Sequence, residues 1–157
     1  MDPVAEPLSF YGQPGDQRRL PWSWAESRLT AATTYWVVAP SRSHPHPRPV
    51  WGVWHQGAVH LSVGTPALRR SFAAGAPVTV HLDDGLDVVI LEGAVRGPTS
   101  DPDVVAAYDT KYSWEYDLAQ YGPFTSVAPA RVLAWRAAGV QGRDGFVEAT
   151  RFRFDGG

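Results

Sequence analysis

The chain of 157 residues contains no cysteine. Disulfides, thiolate nucleophiles and cysteine-based zinc sites are therefore excluded, and the absence fits a reducing compartment. Lysine is nearly absent as well. Lys111 is the only one, so the basic residues are almost all arginine. No apolar run approaches the roughly 20 residues that span a bilayer. The N-terminus is acidic and proline-bearing rather than basic and then hydrophobic, which is not the pattern of a secretory signal. A cytoplasmic protein without membrane segments is expected. Neither sign of charge dominates: the net charge is −2. Bulk electrostatics therefore gives no case for nucleic acid or an anionic membrane as partner. Glycine-rich phosphate loops of the two common types are missing. So is any Ser/His/Asp order or carboxylate pair that would mark a nucleophile or an acid/base couple, and the catalytic residues are left unassigned.

What is present is a single-domain length and an aromatic excess that includes seven tryptophans, enough to bury a substantial core. Residues 1–21 carry proline, glycine and charge without periodicity and read as an N-terminal arm, leaving 22–157 as the domain. Trp22, Ala25, Leu29 and Ala32 have helical spacing. Thr34 to Ala39 is β-branched and aromatic, hence a strand. The stretch 48–55 reads as a second strand, and Gln56-Gly57 as the tight turn of a hairpin into 59–63. Thr65-Pro66 looks like a cap and first turn of a short helix that stops at Gly75. Strands are expected at 78–82 and 86–95, joined by Asp83-Asp84-Gly85. Ser100 to Asp103 resembles a capping box for a helix with Val105, Tyr108, Tyr112 and Tyr116 on one stripe. Two late strands follow at 130–136 and 146–154. Short strands, hairpin signals and few helices point to a mainly β, antiparallel barrel of about six to seven strands with flanking helices.

The most informative stretch is His46-Pro47-Arg48-Pro49-Val50-Trp51-Gly52-Val53-Trp54. Two prolines remove backbone donors, so this strand must begin at an edge or rim. Strict alternation places Arg48, Val50, Gly52 and Trp54 on one side and Pro49, Trp51, Val53 and His55 on the other. A guanidinium on a rim beside a flat apolar wall suits a planar anionic ligand, because arginine offers bidentate contacts that lysine does not. A solvated rim arginine above an ordinary core strand is the competing reading.

Taken together, several pieces resemble the pyridoxamine 5′-phosphate oxidase-like split-barrel family, above all its branch that uses FMN or the deazaflavin F420. The pieces are Thr34-Tyr35-Trp36, His46-x-Arg48-Pro49-Val50-Trp51-Gly52-Val53-Trp54, Leu61-Ser62-Val63-Gly64, residues 69–77, Val78 to Leu82, Val88 to Gly93, Lys111-Tyr112 and Ala149 to Phe154. They follow family order over nearly all of the chain beyond residue 20. The resemblance implies a homodimer of split barrels with cofactor sites at the interface. It implies that the cofactor, FMN or F420, is held by Arg48, Pro49, Val50, Trp51 and Gly52 on the strand, by Ser62, Val63, Gly64, Thr65, Arg69 and Arg70 on the loop and short helix, and by Arg151 and Arg153 near the C-terminus. The implied activity is hydride transfer between that cofactor and a small organic substrate, which needs no catalytic motif because the cofactor carries the chemistry. The phosphate segment departs from the family pattern. Val63 replaces a hydroxyl residue, Leu68 stands where an arginine is common, Arg69 takes the lysine place, and Ser71 and Phe72 replace arginine and asparagine. Fewer polar contacts favour the alternative, a non-catalytic split barrel that carries haem, a bilin or a flavin.

The remaining conspicuous residues have plainer explanations. His44 and His46 form a His-x-His pair with no carboxylate or cysteine nearby, so no metal site is expected. His55, His60 and His81 sit at strand positions. The tyrosine stripe reads as helix packing, and Trp36, Trp51 and Trp54 suit a ligand cleft, a core or a dimer interface equally.

Overall fold

The computed structural model describes residues 2–9, 18–41 and 44–154. Within them run nine strands: β1 (Val4–Pro7), β2 (Tyr35–Ala39), β3 (His46–Val50), β4 (Gly52–His55), β5 (Ala58–Leu61), β6 (Val78–His81), β7 (Asp87–Thr99), β8 (Phe124–Ala137) and β9 (Phe146–Arg153). The helices are α1 (Trp22–Ala31), α2 (Pro66–Ala73), α3 (Pro102–Tyr112) and α4 (Leu118–Tyr121). Strands follow one another as β1-β9-β8-β7-β6-β2-β3, while the hairpin β4–β5 attaches to β8 through β5. Every pairing is antiparallel. The sheet curls without closing, and the architecture is a mainly β split barrel with flanking helices.

The long hairpin β7–β8 is the spine of the barrel. On its other edge β8 pairs first with β5, through Thr125 to Val127, and then with β9, from Arg131 onward. The change of partner falls at Pro129, which cannot donate to a ladder, opposite a bulge between Glu92 and Gly93. The main core fills the barrel, with Tyr35, Val37, Val59, Leu61, Val80, Leu91, Val132 and Phe152 almost fully buried. A second cluster of Val53, Val104, Tyr108, Tyr116 and Phe124 lies beneath α3.

Helix α1 follows its apolar spacing: Ala25 and Leu29 are buried, and Trp22 meets Trp54, Phe152 and Phe154 edge-on. The Tyr35 hydroxyl donates to Leu29 O at 2.6 Å, tying the helix to β2. Thr150, fully buried, accepts from Leu20 N and donates to Glu148 O, which anchors the entry to α1 on β9.

Four expectations are corrected. The strand predicted over 48–55 is two strands: the chain leaves β2 after Val50 and joins β5 at Gly52, with Trp51 in the break. Beyond the break the alternation fails, because Gly52, Val53 and Trp54 are all buried. Helix α3 is capped by Asp101, whose side chain accepts from Asp103 N, not by Ser100, and it ends at Tyr112 with Ser113 in the left-handed conformation. Tyr116 therefore belongs to the following loop, and its burial comes from packing on Phe124 rather than from a helical stripe. The late strand begins at Phe124, six residues before the predicted 130, because residues 124–127 find a partner in β5 that no local pattern announces. Last, the strand total exceeds six to seven, through the split at Trp51 and through β1. Residues 4–7 of the expected arm add to β9, and Glu6 faces Arg153 at 2.7 Å. Residues 10–17 of that arm lie outside the described residues.

The β7–β8 crossing gives a test. A Cβ on Gly93 would stand 1.9 Å from Ala128 O, a backbone atom. Gly93→Ala should destabilise the fold by roughly 1–3 kcal/mol. Gly85→Ala, where a Cβ meets nothing within 4 Å, should leave it within about 0.5 kcal/mol of wild type. Urea unfolding of both variants measures the contrast.

Candidate functional site

A pocket of about 370 Å³ opens where β3, the loop after β5, α2 and the segment after α3 meet. Arg48, Pro49, Val50 and Trp51 form one wall, Ser62, Gly64, Thr65 and Leu68 a second, and Tyr108, Trp114, Tyr116 and Tyr121 the third. Among the described residues, Arg48 is its single charged lining residue. β3 is an edge strand, as its prolines require: Pro47 and Pro49 stand opposite Val38 and Trp36, and among the described residues no strand pairs with its other side. Arg48 is exposed, and among its donors Nη1 bonds Pro47 O at 2.7 Å.

The second wall is held by the main chain. Ser62 N donates to Trp51 O at 2.9 Å, so strand pairing carries the loop up to the pocket. Ser62 Oγ lies 3.1 Å from Tyr116 Oη, which reaches Gly122 O at 3.2 Å. Thr65 occupies the N-cap position of α2, with Pro66 in the first turn, but its hydroxyl makes no capping bond. Thr65 and Leu68, at the start of α2, line the pocket together with Arg48, an arrangement suited to an anion. Asp101 and Asp117, by contrast, use their carboxylates to cap α3 and α4.

The aromatic wall was only partly legible. Trp51 stacks flat on Tyr112, with centroids 4.8 Å apart and planes 6° apart, and Trp114 stands perpendicular at 6.4 Å. Both tryptophans are close to half exposed, 47% and 46%, so a flat face is open to a ligand. Tyr121 and Trp114 were missed because they lie beyond α3, where no periodicity marks them. Burial and the neighbouring phenols push the Tyr108 hydroxyl up to about 12, so it stays protonated at neutral pH.

The other expected residues sit elsewhere. Gly52 lies just behind the wall, with its amide and carbonyl held by α3. Val63 turns inward to the core. Arg69 is used as a brace: Nε donates to Val63 O at 2.7 Å and Nη2 to Tyr121 O at 3.3 Å. It borders a smaller adjoining cleft with Pro98, Gly122 and Thr125. Arg70 is exposed on α2. Arg151 and Arg153 lie on β9, facing Glu6 of β1, and within one chain they do not reach the pocket. His44 and His46 have ring centroids 5.2 Å apart, and among the described residues no group of three or more metal-ligating side chains converges. Among the same residues no helix is long and apolar enough to cross a membrane.

Lys111 lies behind the wall. Burial lowers its ammonium to about 8 from the ordinary 10.5. The folded state then binds fewer protons than the unfolded state between those values, so this group's stabilising contribution is present above about 10.5 and is lost as pH falls through about 8. Stability measured against Lys111→Met should therefore shift in favour of wild type as pH rises from 8 toward 10. Paired urea titrations check the sign, and tyrosine ionisation cancels in the difference.

No protein-family model matches the sequence, and no curated protein is significantly similar to it. Solved structures are similar in fold. A FAD-binding protein from Mesorhizobium loti superposes with a TM-score of 0.59 at 14% identity, over 87% of this chain and 98% of that one. An F420 reductase superposes at 0.56 and 16% identity, over 68% of this chain and 94% of its own. A Clostridium acetobutylicum protein related to general stress protein 26, of the pyridoxinephosphate oxidase family, superposes at 0.54 and 12% identity, covering 85% and 91%. The chain thus has the split-barrel fold of the pyridoxamine 5′-phosphate oxidase-like proteins.

Proposed function

We propose that the pocket binds a flavin-type cofactor, FMN or F420, and that the protein is an oxidoreductase of the pyridoxamine 5′-phosphate oxidase-like family acting on a small organic substrate. The observation that carries this reading is the convergence of Arg48, Pro49, Val50 and Trp51 with Ser62, Gly64 and Thr65, from the two ends of one hairpin, on one pocket. An open tryptophan face and an exposed guanidinium at the same opening match the two ends of such a cofactor, a planar ring and an acidic tail. The names of similarly folded proteins, an F420 reductase and a FAD-binding protein, support the same reading. When bound, the cofactor would accept or donate the hydride. The chain's own residues would bind and orient: Arg48, the Thr65 hydroxyl and the first turn of α2 the acidic end, Trp51 and Trp114 the ring. The aromatic walls keep water from the ring, and the Tyr108 phenol stays neutral. Among the described residues, the hydroxyls of Ser62, Thr65, Tyr108, Tyr116 and Tyr121 are the protic side chains of the pocket.

The working unit in this proposal is a homodimer. Trp36, His81, Ile90 and Leu133 lie in register across β2, β6, β7 and β8, on the face away from the core. All four are half-buried, and Trp36 stacks on His81 with planes 4° apart. An apolar row of this kind is suited to a second copy. Any contribution of Arg151 and Arg153 to the pocket would then be made across the dimer.

Titration with FMN, F420 and haem, followed by absorbance and fluorescence, tests the cofactor. Arg48→Ala should weaken FMN or F420 binding by roughly 1.5–3 kcal/mol, about ten- to a hundredfold, with the fold unchanged. Arg48→Lys should restore only part of the loss. Wild-type affinity in Arg48→Ala would move the anion site elsewhere, and binding of haem alone would favour a carrier. Sedimentation at micromolar concentration should show a dimer, and a clean monomer would remove the interface.

A further inference from the structure

Among the described residues, strand β4 has a strand partner on one side only. Gly52 stands opposite Leu61 of β5, and the bond on that side runs from Ser62 N to Trp51 O. In an antiparallel ladder this is the wide pair, so the amide and carbonyl of Gly52 itself point away from β5. There they would face an edge with no strand, and free backbone groups at a partly buried edge are costly. Helix α3 supplies the partners instead. Tyr112 Oη accepts from Gly52 N at 3.1 Å, and Lys111 Nζ donates to Gly52 O at 2.7 Å. The Tyr112 hydroxyl also reaches Thr33 O at 2.7 Å, and Lys111 Nζ reaches Tyr35 Oη at 3.3 Å, so the same two side chains bind the break to β2 and its approach.

We propose that Lys111 and Tyr112 are the positioning residues of the pocket: by closing the free edge of Gly52 they fix the chain break on which Trp51 stands, and so set the wall on which a planar ligand stacks. Neither residue lines the pocket. Their effect passes through Gly52 and through the Tyr112 ring, which lies flat under Trp51. The backbone there has no slack on the other side, since a Cβ on Gly52 would meet His60 O at 2.5 Å. The choice of lysine is otherwise hard to explain. It is the chain's only one, it is half-buried, and among the described residues it forms no ion pair. The Tyr35 and Tyr112 rings face its ammonium at 4.6 and 5.1 Å, and cation–π attraction offsets part of the desolvation. The groups that face it are therefore the Tyr35 phenol from β2, the Gly52 carbonyl from β4 and the Tyr112 phenol on its own helix.

The role in ligand binding rests on the cofactor reading above; the closure of Gly52 does not. A single lysine makes the test direct, because isotopically labelled lysine gives one side-chain signal. In wild type that signal should titrate near 8, and the Gly52 amide should exchange slowly with solvent. Saturating FMN should shift the lysine signal although the two do not touch. Lys111→Met and Tyr112→Phe, folded with thermal midpoints within a few degrees of wild type, should each bind FMN about tenfold more weakly, and Lys111→Arg should recover most of the loss. In both weakened variants the Trp51 indole signal, assigned with Trp51→Phe, should move. Wild-type FMN affinity in both variants, or a lysine that titrates like a solvated amine, overturns the proposal. If wild type binds neither FMN nor F420, the cofactor reading fails on its own. The positioning proposal is then decided by the Trp51 signal: movement in Lys111→Met and its return in Lys111→Arg sustain it, and an unmoved signal ends it.

Discussion

The partner change along β8 is the constraint on which the rest depends. A strand of 14 residues pairs with β7 over its whole length, but on its second edge it serves β5 and then β9. Two strands cannot occupy one edge at one level, so the sheet divides there. Pro129 sits at the division, where a missing donor does least harm, and Gly93 opposite admits the backbone of Ala128 at a distance no side chain would allow. Above the division, the short β4–β5 hairpin leaves an apolar surface that β9 does not cover. α3 covers it, burying Val104 and Tyr108 on Val53 and Phe124. The second core cluster is thus a consequence of the split rather than an addition to it.

The pocket lies beside the β4–β5 hairpin that this division sets apart, between Trp51 at one end of it and Ser62 at the other. Its walls come from the edge strand β3, from the loop leaving β5 and from the segment leaving α3, three pieces that meet because the barrel is open between them. An open edge ordinarily exposes unpaired backbone. Here the exposed groups are met in two ways. Pro47 and Pro49 remove donors from β3, and side chains of α3 take the place of a strand beside β4. The same devices that keep the edge from pairing with another chain hold Arg48 and Trp51 at the rim.

Much of this was legible in the sequence where local chemistry decides. Pro47 and Pro49 placed an edge, Gln56-Gly57 placed a turn with both residues at positive φ, and Thr65-Pro66 placed the start of α2. The hairpin through Gln56-Gly57 carries Ser62 back beside Trp51, and the resemblance to the family added Arg48 and Thr65 to the same site. What could not be read depends on partners distant in the chain. Trp51 breaks its strand because the chain changes partner there, from Tyr35 of β2 at Val50 to Leu61 of β5 at Gly52, and residues 124–127 extend because β5 is there to receive them. Arg69 reads locally as a spare cation beside a helix start. Only the folded chain shows its guanidinium engaged by the carbonyls of Val63 and Tyr121.

The electrostatics of the site follow from composition. In a chain with 14 basic and 16 acidic residues, five of the described arginines stand beside carboxylates: Arg28 with Asp87, Arg131 with Glu92, Arg136 with Glu148, and Arg151 and Arg153 with Glu6. Arg48 differs, because among the described residues no carboxylate lines its pocket. A guanidinium with a neutral neighbourhood and apolar walls keeps its attraction for an anion undiminished by internal pairing. Trp51 beside it stacks on Tyr112 and keeps nearly half of its surface exposed. Selectivity for a flat, acidic ligand therefore needs no bulk positive charge, and a chain of net charge −2 can hold such a site through one arginine, one helix terminus and one aromatic wall.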